Sequence, residues 1–231
     1  MLRTSHLVYK VDDVRALVRD FTELGFTVEY GSDPARAHNA LLWFAEGPFI
    51  EFFQLHTAFR LLRWPLGAAY GPGAGERLMR WARPGEGWRD LALETDELAL
   101  HQTRTTLRAA GVPLSRVVKG RRTRPDGQLV RYQFLAPRPS RLPFVVSAYD
   151  PPQRPAHVVH PNGAHGIARV RMGVADTDRR CFDALIGGDR WLAVEPAPRT
   201  GLLGVELAGL KADLDPDRLH GAAFTAAVPK G

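Results

Sequence analysis

The sequence predicts an α+β protein assembled from repeats of one βαβββ module. Two features predict this fold class. Segments in which apolar and polar residues alternate are typical of strands, and they are followed by segments with apolar residues at helical spacing. The same order then recurs along the chain, as expected if a single module cannot cover its own apolar sheet face. Hydrophobic residues make up 45% of the 231 residues, so the chain can bury a substantial core.

The first module is predicted over residues 1–56. Residues 6–11 alternate between two faces, which is the pattern of a strand. Asp12-Asp13 then offers an N-cap for a helix that ends at Gly25, because glycine readily takes the backbone conformation that follows a helix. Three more strands, at 26–30, 39–44 and 49–55, complete the module, and turn-forming residues lie between them.

The second module is predicted over residues 87–150 and repeats that order. A strand at 88–95 leads to Asp96-Glu97, which offers a helix cap, and the helix ends at Gly111. The turn signal Pro125-Asp126-Gly127 joins two of the strands that follow as a hairpin. These later strands are predicted at 117–122, 129–134 and 144–149.

The rest of the chain divides into three segments. Residues 57–86 form a connecting segment rich in proline and glycine, with a short helix at 76–82. Residues 151–164 contain four prolines and are predicted to be an extended linker. Residues 165–231 form a shorter, third module-like segment. Its first strand, helix cap and last strand are predicted at 166–172, Asp176-Thr177 and 202–207.

The basic charge of the chain does not indicate a nucleic-acid partner. The net charge is +6, and clustered lysine and arginine side chains would gain affinity for phosphates by displacing counterions. Here arginine is spread along the whole chain. The densest cluster, at 119–124, precedes a turn and is interpreted as a solvated hairpin arm. We therefore expect a small-molecule ligand and no nucleic acid.

The sequence also predicts a cytoplasmic protein without membrane association. No apolar run is long enough to cross a bilayer, and the N-terminal residues lack the pattern of a secretory signal. Cys181 is the only cysteine, so the chain cannot form an intramolecular disulfide and does not require an oxidising compartment.

Four short motifs lie in order on this repeated frame: Ser5-His6-Leu7-Val8-Tyr9, His38-Asn39-Ala40-Leu41, Phe49-Ile50-Glu51 and His160-Pro161-Asn162-Gly163. Together they resemble the bacterial glyoxalase-like family of the vicinal oxygen chelate superfamily, from His6 to about Leu207. The resemblance implies cupped, half-open barrel-like mixed sheets with helices on the outside. It also implies a divalent metal, Zn, Mn, Fe, Ni or Co, that is chelated by two adjacent substrate oxygens, and no organic cofactor. A homodimer is compatible with it.

Carried over position by position, the resemblance places metal ligands at His6, Glu51 and Asp90. His6 lies near the start of the first strand and Glu51 on the fourth strand of the same module. Asp90 corresponds to His6 when the two modules are aligned through their helix caps. The fourth position holds Ser147 where relatives often carry a carboxylate, and a neutral hydroxyl is a weak metal ligand.

The residues themselves support Glu51 most directly. It lies among apolar side chains in the strand 49–55, where a carboxylate is costly unless it is paired, ligated, protonated or facing a cavity. Glu51 is therefore a candidate ligand or general base, and the one catalytic residue predicted. His6 has a simpler alternative, since a strand histidine can merely hydrogen-bond a neighbouring carbonyl.

Three further residues are predicted to contact a substrate: His38, Trp43 and Arg131. His38 stands at the edge of a strand, and Trp43 could line an apolar pocket. Arg131 could anchor an anion through its guanidinium. The alternatives are a surface position for His38, a core position for Trp43 and a solvated strand face for Arg131.

We therefore expect a metal-dependent small-molecule lyase, isomerase or dioxygenase of unknown substrate. The alternative is a metal-free protein of the same fold that binds or sequesters an apolar or aromatic small molecule, and Ser147 motivates it. In either case we expect specificity to reside in the lining of the cup and in the connecting segment.

Overall fold

The computed structural model describes residues 2–227, so Met1 of the first predicted module and residues 228–231 of the third segment lie outside the described residues. The elements of the first module are β1 (Arg3–Val11), α1 (Val14–Glu23), β2 (Glu29–Tyr30), β3 (Asn39–Leu42) and β4 (Phe49–Gln54). The Asp13 carboxylate caps α1 by accepting hydrogen bonds from two backbone N–H groups of the first turn. Gly25 follows the helix with a φ of 80°, a value that favours glycine.

The second module has the same order of elements, but its helix begins later than predicted. Its elements are β5 (Gly87–Glu94), α4 (His101–Ala109), β6 (Val118–Thr123), β7 (Leu129–Leu135) and β8 (Phe144–Val146). The predicted cap at Asp96-Glu97 is wrong, because α4 is preceded by Leu100 and has no side-chain cap. Asp96 instead accepts a charged hydrogen bond from Arg3 at 2.8 Å.

The two modules share one eight-stranded sheet with the order β2-β3-β4-β1-β5-β8-β7-β6. Each module closes on itself through a parallel pair, β1 with β4 and β5 with β8. The modules meet where β1 runs antiparallel to β5. The predicted fold class is thereby confirmed: a mixed α+β protein whose eight-stranded sheet curls into a half-barrel.

The two faces of this sheet have different partners. Leu7 and Tyr9 of β1 join Leu17 and Phe21 of α1 in one buried apolar cluster, to which Leu107 of α4 also belongs. α1 and α4 therefore cover the outer face. The opposite, concave face, which we call the cup face, carries His6, Val8, Glu51, Asp90, Ala92, Tyr132 and Phe144.

The connecting segment covers part of the cup face. It consists of a 3-10 turn (Thr57–Leu62) and two helices, α2 (Arg63–Tyr70) and α3 (Pro72–Trp81), where the sequence predicted a single helix at 76–82. The ring of Trp81 packs against Phe144 and Phe53 with centroid distances of 5.7 and 6.2 Å. In the described part of the chain, no helix is long and apolar enough to cross a membrane.

The third segment forms a four-stranded sheet that repeats the arrangement of the four central strands of the larger sheet. Its elements are β9 (Gly166–Val174), α5 (Asp176–Leu185), β10 (Leu192–Pro196), β11 (Gly201–Ala208) and β12 (Phe224–Ala226). The strand order β10-β9-β11-β12 and the strand directions reproduce those of β4-β1-β5-β8 in the larger sheet. Phe224 of β12 packs on Tyr9 and Phe21, so this segment docks on the outer face.

Asp178 of α5 ties the third segment to the second module. Its carboxylate accepts hydrogen bonds from Arg141, at 2.7 Å for Nη2, and from the Thr200 hydroxyl at 2.6 Å. Burial alone would raise the pKa of Asp178, but the hydrogen bonds from Arg141 and Thr200 outweigh burial and lower it. The ionised carboxylate therefore stabilises the folded chain.

We expect Asp178→Asn to lower the free energy of unfolding at pH 7 by about 1–3 kcal/mol, because Arg141 loses its charged partner. A folded-state pKa below the unfolded value stabilises the protein above the unfolded value, roughly 4, and that stabilisation disappears as the pH falls through the folded-state pKa. The difference between variant and wild type should therefore shrink in acid. Urea unfolding between pH 7 and pH 3 would measure it.

The matched control is Asp183→Asn on the same helix. Asp183 pairs with Arg179 at 3.0 Å, and both side chains are about half exposed, so its loss should change stability by less than about 0.5 kcal/mol. Equal losses in the two variants at pH 7 would contradict the role of Asp178.

Candidate functional site

The structure brings His6 and Glu51 together on the cup face. The two side chains come from the parallel strands β1 and β4, where Glu51 lies beside Val8. The His6 Nε2 and Glu51 Oε2 atoms are 3.6 Å apart. The His6 side chain is buried, whereas the Glu51 side chain is 30% exposed. Burial lowers the pKa of His6, although the negative charge of Glu51 opposes this, so the imidazole is neutral at physiological pH.

Asn39 positions the Glu51 carboxylate. β3 runs antiparallel to β4, and the Asn39 side-chain amide donates a 2.9 Å hydrogen bond to Glu51 Oε1. Sequence reasoning missed this contact. The motif His38-Asn39 lies upstream of Glu51 in the chain, but only the strand register shows that the amide and the carboxylate share a face.

Aromatic rings surround His6. Phe49 stacks on the imidazole with a centroid distance of 4.7 Å, and Phe144 approaches it edge-on at 5.7 Å. On its other side, His6 Nδ1 is 3.1 Å from the hydroxyl of Ser5. The imidazole therefore has a defined orientation, with Nδ1 turned toward Ser5 and Nε2 turned toward Glu51.

Asp90 lies on the cup face but is held by other partners. Its carboxylate accepts hydrogen bonds from Arg77, from Arg80 Nη2 at 2.7 Å and from the Trp81 indole N–H at 2.7 Å. Arg77 and Asp90 are both buried, and burial lowers the pKa of Arg77 while the Asp90 charge opposes that effect. The guanidinium groups come from α3, which sequence reasoning did not place near Asp90.

The residues present do not fit the metal-ligand set that the resemblance implies. Asp90 is neutralised by Arg77 and Arg80, and the Ser147 hydroxyl accepts from the Gln133 backbone N–H at 2.9 Å and donates to the Ala148 carbonyl at 2.8 Å. Within residues 2–227, no three histidine, cysteine, aspartate or glutamate side chains are grouped so that they could hold a metal ion. His6 and Glu51 therefore lie together, but Asp90, the third predicted ligand, is paired with arginines instead.

The three predicted substrate contacts lie at different distances from this pair. Trp43 is buried and packs on Phe49 at 4.0 Å, so it adjoins the ring that stacks on His6. His38 is exposed. Arg131 is also exposed, and its backbone pairs with Asp150. The structure thus brings Trp43 next to the site and leaves His38 and Arg131 outside it.

The cup face beside Glu51 is lined by half-buried aromatic side chains. They are Phe53, Trp81, Tyr132, Phe134 and Tyr149. Burial, aided by the negative charge of Glu51, raises the pKa of Tyr132 to about 12 and that of Tyr149 well above its ordinary value. Both phenols therefore stay neutral at physiological pH and can donate hydrogen bonds.

A cleft of about 340 Å³ opens next to this surface, between the β2–β3 edge and the β6–β7 hairpin. Its wall includes Tyr30, Trp43 and Leu41, and Leu41 lies opposite Glu51 in the register of β3 and β4. Arg122 of β6 also lines it and donates hydrogen bonds to the Gly31 carbonyl and the Gln153 side chain. The cleft is large enough for a small organic molecule.

The paired modules form the cupped, half-open sheet that the resemblance implied, with His6 and Glu51 on its concave face. The glyoxalase-like domain family model matches residues 5–182, which is most of the chain. The chain therefore belongs to the glyoxalase-like domain family, as the four motifs indicated. A comparison with curated proteins finds no match to the sequence.

Solved structures share the fold at low sequence identity. A hypothetical protein from Staphylococcus aureus is similar with a TM-score of 0.63 and 11% identity, over 92% of this chain and 93% of that one. The Mn(II)-bound glyoxalase from Novosphingobium aromaticivorans is similar with a TM-score of 0.53 and 14% identity, over 94% of this chain and 69% of that one. At such identities, the likeness shows the fold alone.

We expect Arg77→Met to lower the free energy of unfolding by about 3 kcal/mol, because removing one partner of a buried ion pair leaves the other partly uncompensated. The double variant Arg77→Met/Asp90→Leu should be more stable than the sum of the two single changes implies, by about 1–3 kcal/mol. Urea unfolding of the four proteins in this cycle would measure the coupling.

Arg60→Met is the control, since Arg60 is an exposed arginine of the same connecting segment. It should change stability by less than about 0.5 kcal/mol. Strict additivity of the Arg77 and Asp90 changes would contradict the buried pair.

Proposed function

We propose that this glyoxalase-like protein binds an aromatic or apolar small molecule on its cup face without a metal ion. The observation that carries this proposal is the pairing of Asp90 with Arg77 and Arg80. It removes one anionic ligand from the cup and adds positive charge beside it.

The charges around the His6–Glu51 pair favour a site without a metal ion. A divalent ion beside His6 and Glu51 would have one carboxylate at hand, and two guanidinium groups on the same face would repel it. Asp90 could become a ligand only if Arg77 lost its partner in a buried position, which is costly. The other predicted position, Ser147, supplies a neutral hydroxyl already engaged with the backbone.

The lining of the cup indicates the chemistry of the ligand. Half-buried rings such as Tyr132 and Phe134 offer faces and edges for stacking with an aromatic or apolar group. Glu51 and the two neutral phenols supply a few polar contacts among them. A mostly apolar concavity with few polar groups is typical of sites for small organic molecules.

The second candidate is a metal-dependent lyase, isomerase or dioxygenase. Its support is the His6–Glu51 pair, because an imidazole and a carboxylate 3.6 Å apart on one face are suitable ligands for a divalent ion. This candidate requires further ligands from water or substrate. The same experiment separates the two candidates.

We expect a panel of aromatic compounds to raise the melting temperature of the protein, and Mn²⁺, Zn²⁺, Fe²⁺, Ni²⁺ or Co²⁺ alone to leave it unchanged. Tyr132→Leu should raise the Kd of the best compound about tenfold, because one aromatic contact contributes about 1–1.5 kcal/mol. Thermal shift would find the compound, and calorimetry would measure the Kd.

Trp64→Ala is the matched control, because Trp64 is an exposed aromatic residue outside the cup. It should leave the Kd unchanged. Stabilisation by a metal alone, about one ion per chain by elemental analysis, and its loss in Glu51→Ala would instead establish the metal-dependent candidate.

A further inference from the structure

A hydrogen-bonded chain reaches His6 from the side opposite to Glu51. The Ser5 hydroxyl is 3.1 Å from His6 Nδ1 and donates a 2.7 Å hydrogen bond to Glu94 Oε2. Ser5 is buried, and Glu94 lies at the end of β5, where Arg3 donates to its other oxygen at 2.9 Å. These hydrogen bonds therefore connect the partly exposed carboxylate of Glu94 to the buried imidazole of His6.

An irregularity in β1 makes this chain possible. Neighbouring residues of a regular strand point to opposite faces, so Ser5 and His6 would not normally meet. Here Thr4 pairs with Leu93 and His6 with Ala92, which leaves Ser5 as an extra residue in β1. Such a bulge redirects side chains locally, and it turns the Ser5 hydroxyl toward the imidazole of its neighbour.

The donors and acceptors in this chain determine which nitrogen of His6 carries hydrogen. A carboxylate only accepts, so the single hydroxyl hydrogen of Ser5 points to Glu94. The hydrogen between Ser5 and His6 must then come from Nδ1. A neutral imidazole has one N–H, so Nε2 carries a bare lone pair.

Two acceptors consequently face each other on the cup face. His6 Nε2 and Glu51 Oε2 are 3.6 Å apart, too far for a hydrogen bond and with no hydrogen to share between them. Glu51 Oε1 is already satisfied by Asn39. The Oε2 atom and the imidazole lone pair are thus available together to a third group.

We propose that Glu94, acting through Ser5, fixes His6 as the Nδ1–H tautomer, and that Nε2 and Glu51 Oε2 form a subsite for a hydrogen-bond donor of the ligand. The donor is a hydroxyl, amine or amide N–H. The subsite rests on the proposed function, whereas the tautomer does not. Ser5 and Glu94 are positioning residues, since they act through His6.

The subsite discriminates between ligands by hydrogen bonding. A hydroxyl or amide N–H of a ligand satisfies one of the two acceptors, and an amine with two or more hydrogens satisfies both. A ligand of the same shape without a donor displaces water from them and leaves both unpaired. Sites built to hydrogen-bond one group reject analogues that lack it more strongly than apolar pockets reject changes of size. An aromatic ligand bearing a donor is therefore preferred to its donor-free analogue.

The tautomer is tested on ligand-free protein labelled with ¹⁵N in its histidines. The His6 signals are assigned by their absence from the spectrum of His6→Asn, and wild type should show Nδ1 protonated and Nε2 bare at neutral pH. In Glu94→Gln the amide oxygen stays toward Arg3, so the amide N–H₂ faces Ser5. The Ser5 hydrogen then turns to Nδ1, and the imidazole hydrogen should move to Nε2.

Glu46→Gln is the matched control, because Glu46 is an exposed carboxylate of the same cleft as Glu94 and pairs with Arg190. It should leave the His6 signals unchanged. A wild-type His6 protonated on Nε2, or a Glu94→Gln spectrum that matches wild type, would overturn the assignment of Ser5 and Glu94.

The donor subsite is tested by calorimetry with matched probes, phenol against anisole and benzylamine against toluene. Wild type should bind the donor-bearing member of each pair at least about tenfold more tightly. Glu94→Gln should reduce that preference, because His6 Nε2 then carries a hydrogen and no longer accepts one from the ligand. Equal affinities within both pairs would overturn the subsite. Absence of binding by all four probes would overturn the subsite together with the proposed function, while the tautomer stands on the NMR result.

Discussion

The antiparallel pairing of β1 with β5 is the constraint on which the rest of this protein depends. It joins the two modules into one sheet and brings His6 of the first module alongside Asp90 and Glu94 of the second. Because side chains alternate along strands, this register also decides which residues face the cup. The bulge at Ser5 is an exception within the pairing, and it links His6 to Glu94 through one hydroxyl.

The ion pair of Asp90 with Arg77 shows how a connecting segment can change a site without altering the sheet. α3 crosses the cup face and places a buried guanidinium against the carboxylate. A buried charge pair is poor evidence for stability, since apolar residues of similar size are often as stable. Here it changes the chemistry of the cup, because the carboxylate it neutralises stands where the family resemblance implied a metal ligand.

Local sequence patterns predicted much of the fold and one residue of the candidate site. The period-two segments, the Asp13 cap and the glycine stops correspond to the strands and to α1. Glu51 was recognisable because a carboxylate among apolar strand residues needs a partner or a cavity. Asn39 and Ser5 had no such signal, since small polar residues are frequent in strands and turns for reasons unrelated to a site. Glu94 had none either, because it ends its strand and glutamate side chains are ordinarily exposed. The late start of α4 was also missed, because Asp96 pairs with Arg3 instead of capping the helix.

The sequence by itself determined the repeated modules, the family resemblance and the candidate pair His6 and Glu51. These depend on periodicity, turn chemistry and short motifs, all of which are readable over a few neighbouring residues. Only the tertiary structure decided that Asp90 is neutralised by Arg77 and that Ser5 and Glu94 orient His6. Those contacts join residues that are far apart in the chain, except for the bulged pair Ser5 and His6, and they arise from strand register and from the path of α3 over the cup.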